Sequence, residues 1–479
     1  MRFLIIGFAL FSSAMYSSSA FAQKDALNDS IDARAEAAWQ DALKIWEWAE
    51  PGYQESKSSA LLADRLEAEG FRVERGVADI PTAFVATIGE GAPVLGILGE
   101  FDALPGLAQE AAPTRTPRPD ATYGHACGHH LFGTGSMLAA LALGEQVKAG
   151  TFPGTIRFYG TPAEEGGAAK VYMVRAGLFD DCDAVLHWHP GDRNSAGDPT
   201  NLARIAAKFR YYGRSAHAAG DPEQGRSALD AVEIMNFGAE MLREHTPDYT
   251  RIHHIITFGG SAPNVVPDFA EVYYYVRHPD ATVVKSLYRR LLLCAQAGAL
   301  ATETRLEVEY LGGTHNIMPS DTLSTVTLKN LKEQADMRYT EEEFAFAAEL
   351  QKTLLAPADI NIIGEVFDRQ GEIDKGSTDV GDISWVTPTT GFRAACWVPG
   401  TPAHSWQAVA AGGTTIGRQG MVLAARVLAA TAWDLAHDPE TLSAARKELD
   451  MRLSHGRYSA MLQRDQEPPL DYRDPPKPR

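Results

Sequence analysis

Apolar residues recur at helical spacing through residues 32–70, with Ala37, Trp39, Leu43, Ile45 and Trp46 followed by Leu61, Leu62 and Leu66. That stripe predicts amphipathic helix. Phe71 to Val77 and Ala83 to Ile88 then read as strands, and Val94 to Leu98 is a continuous apolar run, the mark of a parallel strand buried on both faces. The Ala- and Leu-rich stretch from Gly133 to Gln146 predicts a helix, Thr155 to Tyr159 a strand, the segment ending at Ala176 a helix, and Ala184 to Trp188 another strand. Strands alternating with helices predict an α/β fold, a parallel sheet with helices on both faces.

The rhythm changes near Leu202. Ala206 to Tyr212, Ile252 to Phe258, Phe269 to Val276 and Arg305 to Tyr310 read as strands, and Arg226 to Arg243 and Ala281 to Ala297 as helices. The order β-α-β-β-α-β is that of the ferredoxin-like unit, here an α+β domain inserted into the first. The α/β pattern then resumes and continues through the Ala-rich helix from Gly417 to Ala436. The expected organisation is an export signal over residues 1–22, a first catalytic part over 23–202, the inserted lid over 203–311, a second catalytic part over 312–466 and a disordered, Pro-rich, charged tail over 467–479. A length of 479 residues exceeds one ordinary core and agrees with two domains.

Composition narrows the function. The formal net charge is −18 and no basic patch is interleaved with aromatics, which excludes nucleic acid as a partner. Arg2, the apolar run from Phe3 to Phe11 and Ala20-Phe21-Ala22 before Gln23 form the charged, apolar and small-residue regions of a signal peptide. The apolar run is too short to span a bilayer. Cleavage after Ala22 and a periplasmic or secreted chain free of the membrane are therefore expected. Cys182, Cys294 and Cys396 are scattered and match no small disulfide framework; they are expected as core or free thiols.

Cys127 is different. It sits in Gly124-His125-Ala126-Cys127-Gly128-His129-His130, and a thiolate with neutral imidazoles suits zinc and related ions. Cys127 and His129 are two residues apart, so an extended segment would turn both into one cavity. Gly124 and Gly128 allow the backbone to approach closely; chance histidines at a helix start are the plain alternative. Glu164 and Glu165 are adjacent carboxylates on a Gly-rich loop, and they repel unless cations or a proton compensate. A lone pair of this kind is usually a solvated acidic loop. This one follows the C-terminal end of a predicted strand, where open α/β sheets bind ligands. Glu100 and Asp102, His187 and His189, and His404 hold similar places on strand ends or loops. Each alone is ordinary; together they offer what a dinuclear site requires.

These segments resemble a known family. Gly99-Glu100-Phe101-Asp102-Ala103-Leu104-Pro105-Gly106, His125-Ala126-Cys127-Gly128-His129, Pro162-Ala163-Glu164-Glu165-Gly166-Gly167, Ser215-Ala216-His217, Asn264-Val265-Val266-Pro267 and His404-Ser405-Trp406 look like the successive motifs of metallopeptidase family M20, in particular its subfamily D amidohydrolases. Ser377-Thr378-Asp379-Val380-Gly381-Asp382-Ile383-Ser384-Trp385 makes the chain most similar to the branch that holds the B subunit of aminobenzoyl-glutamate hydrolase. The resemblance implies that Cys127, His129, Glu165 and His404 are metal ligands and Glu164 the general base. Related members place a further histidine ligand either directly before a proline, which His189 matches, or three residues before one, which His187 matches; the His-Pro form of the closer branch selects His189. It also implies that His217 stabilises an oxyanion, often from the partner protomer, that Asn264 contacts substrate, and that the chain forms a homodimer through the inserted domain. His130 departs from the pattern, since many subfamily D enzymes have Asp there.

The expected activity is that of a metal-dependent amidohydrolase with two divalent ions, zinc or manganese. It would cut the amide bond of a small N-acyl or N-aroyl amino acid, aminobenzoyl-glutamate-like, or of a small peptide. Arg277, near the end of a lid strand, is placed to pair bidentately with a substrate carboxylate, with a lid-surface salt bridge as its plain alternative. A serine hydrolase is disfavoured because no G-x-S-x-G elbow occurs. The remaining alternative is an exported metal- or solute-binding protein without catalysis, for which the spare carboxylate of Glu164 has no purpose.

Overall fold

The computed structural model describes residues 4–197 and 199–474, with residues 4–22 and His455 by backbone alone. The expected signal peptide therefore lies outside the residues whose side chains are described, as do residues 475–479 of the expected tail.

The larger sheet has eight strands in the order Arg72–Arg75, Phe84–Gly89, Thr155–Gly160, Val94–Gly99, Ala184–Gly191, Thr389–Ala395, Asn194–Ala196 and Val366–Asp368. Its centre is parallel: Val94–Gly99 runs alongside both Thr155–Gly160 and Ala184–Gly191, and Thr389–Ala395 alongside Ala184–Gly191. Leu95, Ile97, Leu98, Val185 and Leu186 are buried, as central strands covered on both faces require. The antiparallel pairs lie away from that centre.

Helices flank the sheet. His129–Lys148 and Thr415–Ala436 pack on it and on each other, with the helix Leu4–Trp48 against both. The fit is tight: a Cβ on Gly135 would stand 2.9 Å from the Trp188 ring and 3.2 Å from Met421. The helical periodicity of residues 32–70 is interrupted after Trp48, and a second helix begins at Ser56. Pro51 lies between, flanked by Ala49 and Tyr53 in the left-handed region, a geometry that ends a helix.

The inserted unit is a four-stranded antiparallel sheet in the order Arg251–Phe258, Phe269–His278, Ala203–Tyr212 and Arg305–Thr314. This is the ferredoxin-like arrangement, and its last strand continues to Thr314 rather than stopping at residue 311. Helices Ala228–Arg243 and Ala281–Thr302 cover the sheet. Ser227 and Asp280 cap them by accepting the N–H of Asp230 and Thr282. Phe209, Tyr211, Tyr274, Val284 and Leu291 form a core separate from that of the larger sheet.

The expectation of disorder from Glu467 fails through Asp474. The segment after the last helix crosses the lid and returns to the larger domain. Met461 enters the lid core, and the Tyr458 hydroxyl donates to Asp382 at 2.9 Å. Tyr472 packs edge-on against Tyr53 with 5.7 Å between ring centres. Its hydroxyl donates to the carbonyl of Glu165 at 3.1 Å. Within the tail, the charged, Pro-rich composition concealed the aromatic anchor Tyr472.

Candidate metal centre

The acidic and imidazole groups gather at the C-terminal ends of the central strands. Glu100 and Asp102 follow Val94–Gly99, Glu164 and Glu165 follow Thr155–Gly160, and His187 and His189 lie in Ala184–Gly191. Cys127 and His129 come from the loop that enters the helix His129–Lys148. Gly128 makes that entry possible: its φ is +76°, and a Cβ there would stand 2.7 Å from Pro190. His404 arrives on a late loop, itself left-handed at φ +57°, with its N–H bonded to the Ala126 carbonyl at 2.9 Å.

Ligand atoms of Cys127, His129 and His189 all lie within 4.8 Å of one another, and so do those of Cys127, Glu165 and His404. A third group, Glu100, His129 and Glu164, meets the same limit. The first two share one sulfur. A zinc ion holds sulfur at about 2.3 Å and nitrogen at about 2.0 Å, which sets their mutual spacing at roughly 3.5 Å. Cys127 Sγ lies 3.4 Å from His189 Nε2.

Neighbouring groups fix the orientation of these side chains. His129 Nδ1 donates to Asp102 Oδ1 at 2.8 Å, and the other Asp102 oxygen accepts the N–H of Glu165 at 2.8 Å. His189 Nδ1 donates to the Pro190 carbonyl at 2.7 Å, which turns Nε2 towards Cys127. The Glu164–Glu165 loop is held in a rare backbone shape, with Ala163 and Ala168 both left-handed. Glu55, fully buried, accepts the N–H of Ala163 at 2.8 Å.

The residues fit divalent cations on their own chemistry. Glu100 Oε2, His129 Nε2 and Glu165 Oε1 are buried and lack a hydrogen-bond partner. Yet His129 Nε2 is 3.1 Å from Glu100 Oε2, and His404 Nε2 is 3.0 Å from Glu165 Oε1. These contacts are close but misaligned for hydrogen bonds. Buried polar atoms normally find partners, and lone pairs converging in this way suit a cation. The electrostatics agree. Cys127 and Glu165 hold the His404 imidazole pKa up to about 11 against the opposing effect of burial. Burial, Glu100 and Glu165 hold the Glu164 carboxyl well above its ordinary range.

His187 lines the cavity beside these groups, but its ring packs onto Gly391, where a Cβ would stand 2.2 Å from Nε2; it belongs to none of the three clusters. His130 is buried away from them, its Nε2 bonded to the Gly412 carbonyl at 3.0 Å. Arg277 lines the cavity, and its Nη1 donates to Ser377 Oγ at 3.1 Å. His217 and Asn264 are not brought in. They sit together on exposed lid loops, where the Asn264 carbonyl accepts the N–H of Ala218 at 3.0 Å. Cys182, Cys294 and Cys396 are free thiols.

Two supporting residues escaped the sequence reading of the site. Lys170 is fully buried and bridges Glu100 and Asp379, 2.7 Å from each. Its partners lie far away along the chain, and no motif marks it. Glu55 carries no local signal either. Asp102, read with Glu100 as a strand-end carboxylate of the site, serves as a support for His129 and Glu165.

The model for peptidase family M20/M25/M40 matches residues 96–408. The chain is 38% identical to the B subunit of p-aminobenzoyl-glutamate hydrolase from Escherichia coli (strain K12), over 88% of this chain and 94% of that protein. It is 30% identical to Xaa-Arg dipeptidase of Mus musculus, over 88% of this chain and 91% of that one. Its fold matches the crystal structure of the Bacillus subtilis YXEP protein, a dinuclear metal-binding peptidase of the M20 family. The TM-score is 0.59 and the identity 17%, with 85% of this chain and 99% of that chain covered.

Proposed function

The chain belongs to peptidase family M20/M25/M40 and is a hydrolase of amide bonds; from that premise we propose that it cleaves N-acyl or N-aroyl amino acids, aminobenzoyl-glutamate-like, at a dinuclear centre held by Cys127, His129, Glu165, His189 and His404. The observation that carries this reading is the pair of ligand groups sharing the Cys127 sulfur beside the free carboxylate of Glu164. Two divalent ions, zinc or manganese, would supply Lewis acidity and lower the pKa of an attacking water to about 7. Glu164 takes the proton of that water and returns it to the leaving amine. Its raised pKa equips it for the second step. Arg277 pairs with the carboxylate of the amino-acid half.

His217 and Asn264 lie outside the cavity of their own chain, and the same reading has them serve a second copy. An apolar face supports the dimer. Ile234, Phe237 and Met241 on Ala228–Arg243 are exposed beside Leu293 and Leu300 on Ala281–Thr302. The strand Arg251–Phe258 at the sheet edge adds exposed Ile255 and Ile256, and open edges of this kind call for a cover. Export with cleavage after Ala22 completes the proposal; among the described residues no helix is long and apolar enough to cross a membrane.

The test is metal analysis of the purified protein with turnover of a panel of N-acyl amino acids, before and after chelation. Near-stoichiometric metal, activity lost on chelation and activity restored by zinc, manganese or cobalt are expected. Full turnover by metal-free protein would refute the dinuclear reading.

A further inference from the structure

Arg204 and Arg277 face each other across the lid sheet. They are direct register partners on the antiparallel strands Ala203–Tyr212 and Phe269–His278. Side chains so placed have Cβ atoms about 4.5–5.5 Å apart, and like charges there destabilise a sheet. Among the described residues neither guanidinium makes an ion pair, and the Nε of each is buried without a hydrogen-bond partner. Both lie on the Tyr275 ring, 4.8 and 5.3 Å from its centre. The ring and Ser377 fix their posture and leave their forks open. Burial and the charge of Arg204 lower the pKa of Arg277, and the more distant charge of Glu164 only partly offsets them.

Both residues line the same cavity of roughly 590 Å³ as Cys127, Glu165 and His404. The other charges in its wall are already committed. Arg369 and Arg393 share Asp374, at 3.4 and 2.7 Å. Glu100 and Asp379 share Lys170. Glu164 and Glu165 belong to the metal centre. The wall therefore offers an incoming ligand two guanidinium groups without an ion pair, and outside the proposed metal centre no uncommitted carboxylate.

Resting on the hydrolase reading above, we propose that Arg204 is a specificity residue which, with Arg277, forms a cradle for two carboxylates, so that the preferred substrates are N-acyl derivatives of dicarboxylic amino acids. Arg277 holds the α-carboxylate and Arg204 the side-chain carboxylate. A basic side chain would meet two like charges and find no partner. A neutral one would leave the Arg204 guanidinium desolvated and unpaired, which is the stronger source of discrimination.

The experiment compares kcat/KM for N-benzoyl-glutamate, N-benzoyl-glutamine and N-benzoyl-arginine in the wild-type metalloenzyme, R204M and R204K. Calorimetric binding of free glutamate and glutamine runs alongside. The wild type is expected to favour the glutamate substrate over the glutamine one by about 10- to 100-fold. R204M should collapse that ratio towards unity, and R204K should retain part of it. A wild-type enzyme that cuts the glutamine or arginine substrate as well as the glutamate one overturns the cradle, whether or not R204M folds. An unchanged ratio in folded R204M does the same. Glutamate bound more tightly than glutamine, with no amide cut, would support the cradle while refuting the hydrolase reading; equal binding would refute the cradle.

Discussion

Asp102 grips His129 by a 2.8 Å hydrogen bond at Nδ1, and this bond settles which imidazole nitrogen faces the centre. The second Asp102 oxygen holds the backbone of Glu165, so one carboxylate aligns proposed ligands from two different loops. Asp102→Ala should weaken metal binding about 10- to 100-fold, as losses of such supporting hydrogen bonds do. Competition with a chelator of known affinity measures this. Wild-type affinity in the variant would show that the ring is held by packing alone.

Glu164 touches the centre but belongs to neither of the two groups that share Cys127. Glu164→Gln should therefore keep near-wild-type metal content while kcat falls about 10²- to 10⁴-fold, the usual worth of a positioned general base. Metal analysis and turnover on one preparation separate the two effects. A variant with unchanged kcat would remove Glu164 from the mechanism.

Lys170 is the sole bridge between Glu100 and Asp379 among the described residues, and all three are fully buried. Lys170→Met leaves two carboxylates facing each other without a cation, an imbalance of about 3–5 kcal/mol. A lowered thermal midpoint is expected. An unaltered one would mean that protons replace the lysine at no cost.

Glu448 makes stability depend on pH. It accepts the N–H groups of Asp321 and Thr322 at the start of helix Asp321–Gln334 and pairs with Arg452 at 2.8 Å. Burial alone would raise its pKa, but the bonds from Thr322, Arg452 and Asp321 prevail and bring it from 4.5 to about 2. A carboxylate with a depressed folded pKa stabilises above its unfolded pKa, and the contribution is lost as pH falls through the folded one. Glu448→Gln should cost about 1–2 kcal/mol at neutral pH. The gap in midpoint between variant and wild type should narrow from pH 4.5 towards 2. A gap independent of pH would assign the effect to shape rather than charge.

The sequence announces those parts of the protein whose signals are local. Val94 to Leu98 is a central strand because an unbroken apolar run admits few other fates, and Cys127 and His129 stand out because thiol and imidazole crowd one glycine-flanked segment. The centre's supports are illegible for the opposite reason. Lys170 and Glu55 are common residues whose meaning comes only from partners brought close by the fold. His187 and His189 share a strand face, and they are separated only in the fold, by the packing of His187 on Gly391 and the approach of His189 to Cys127. The tail misled because composition averages over residues, whereas Tyr472 acts as a single anchor on Tyr53 and Glu165.

The proposed centre, in which both candidate ligand groups close on the Cys127 sulfur, has one point of failure. Conversion of that thiol to a sulfenic or sulfinic acid would strip a donor from both positions together. Exposure to peroxide should thus silence the enzyme in a single step, with no half-loaded form along the way.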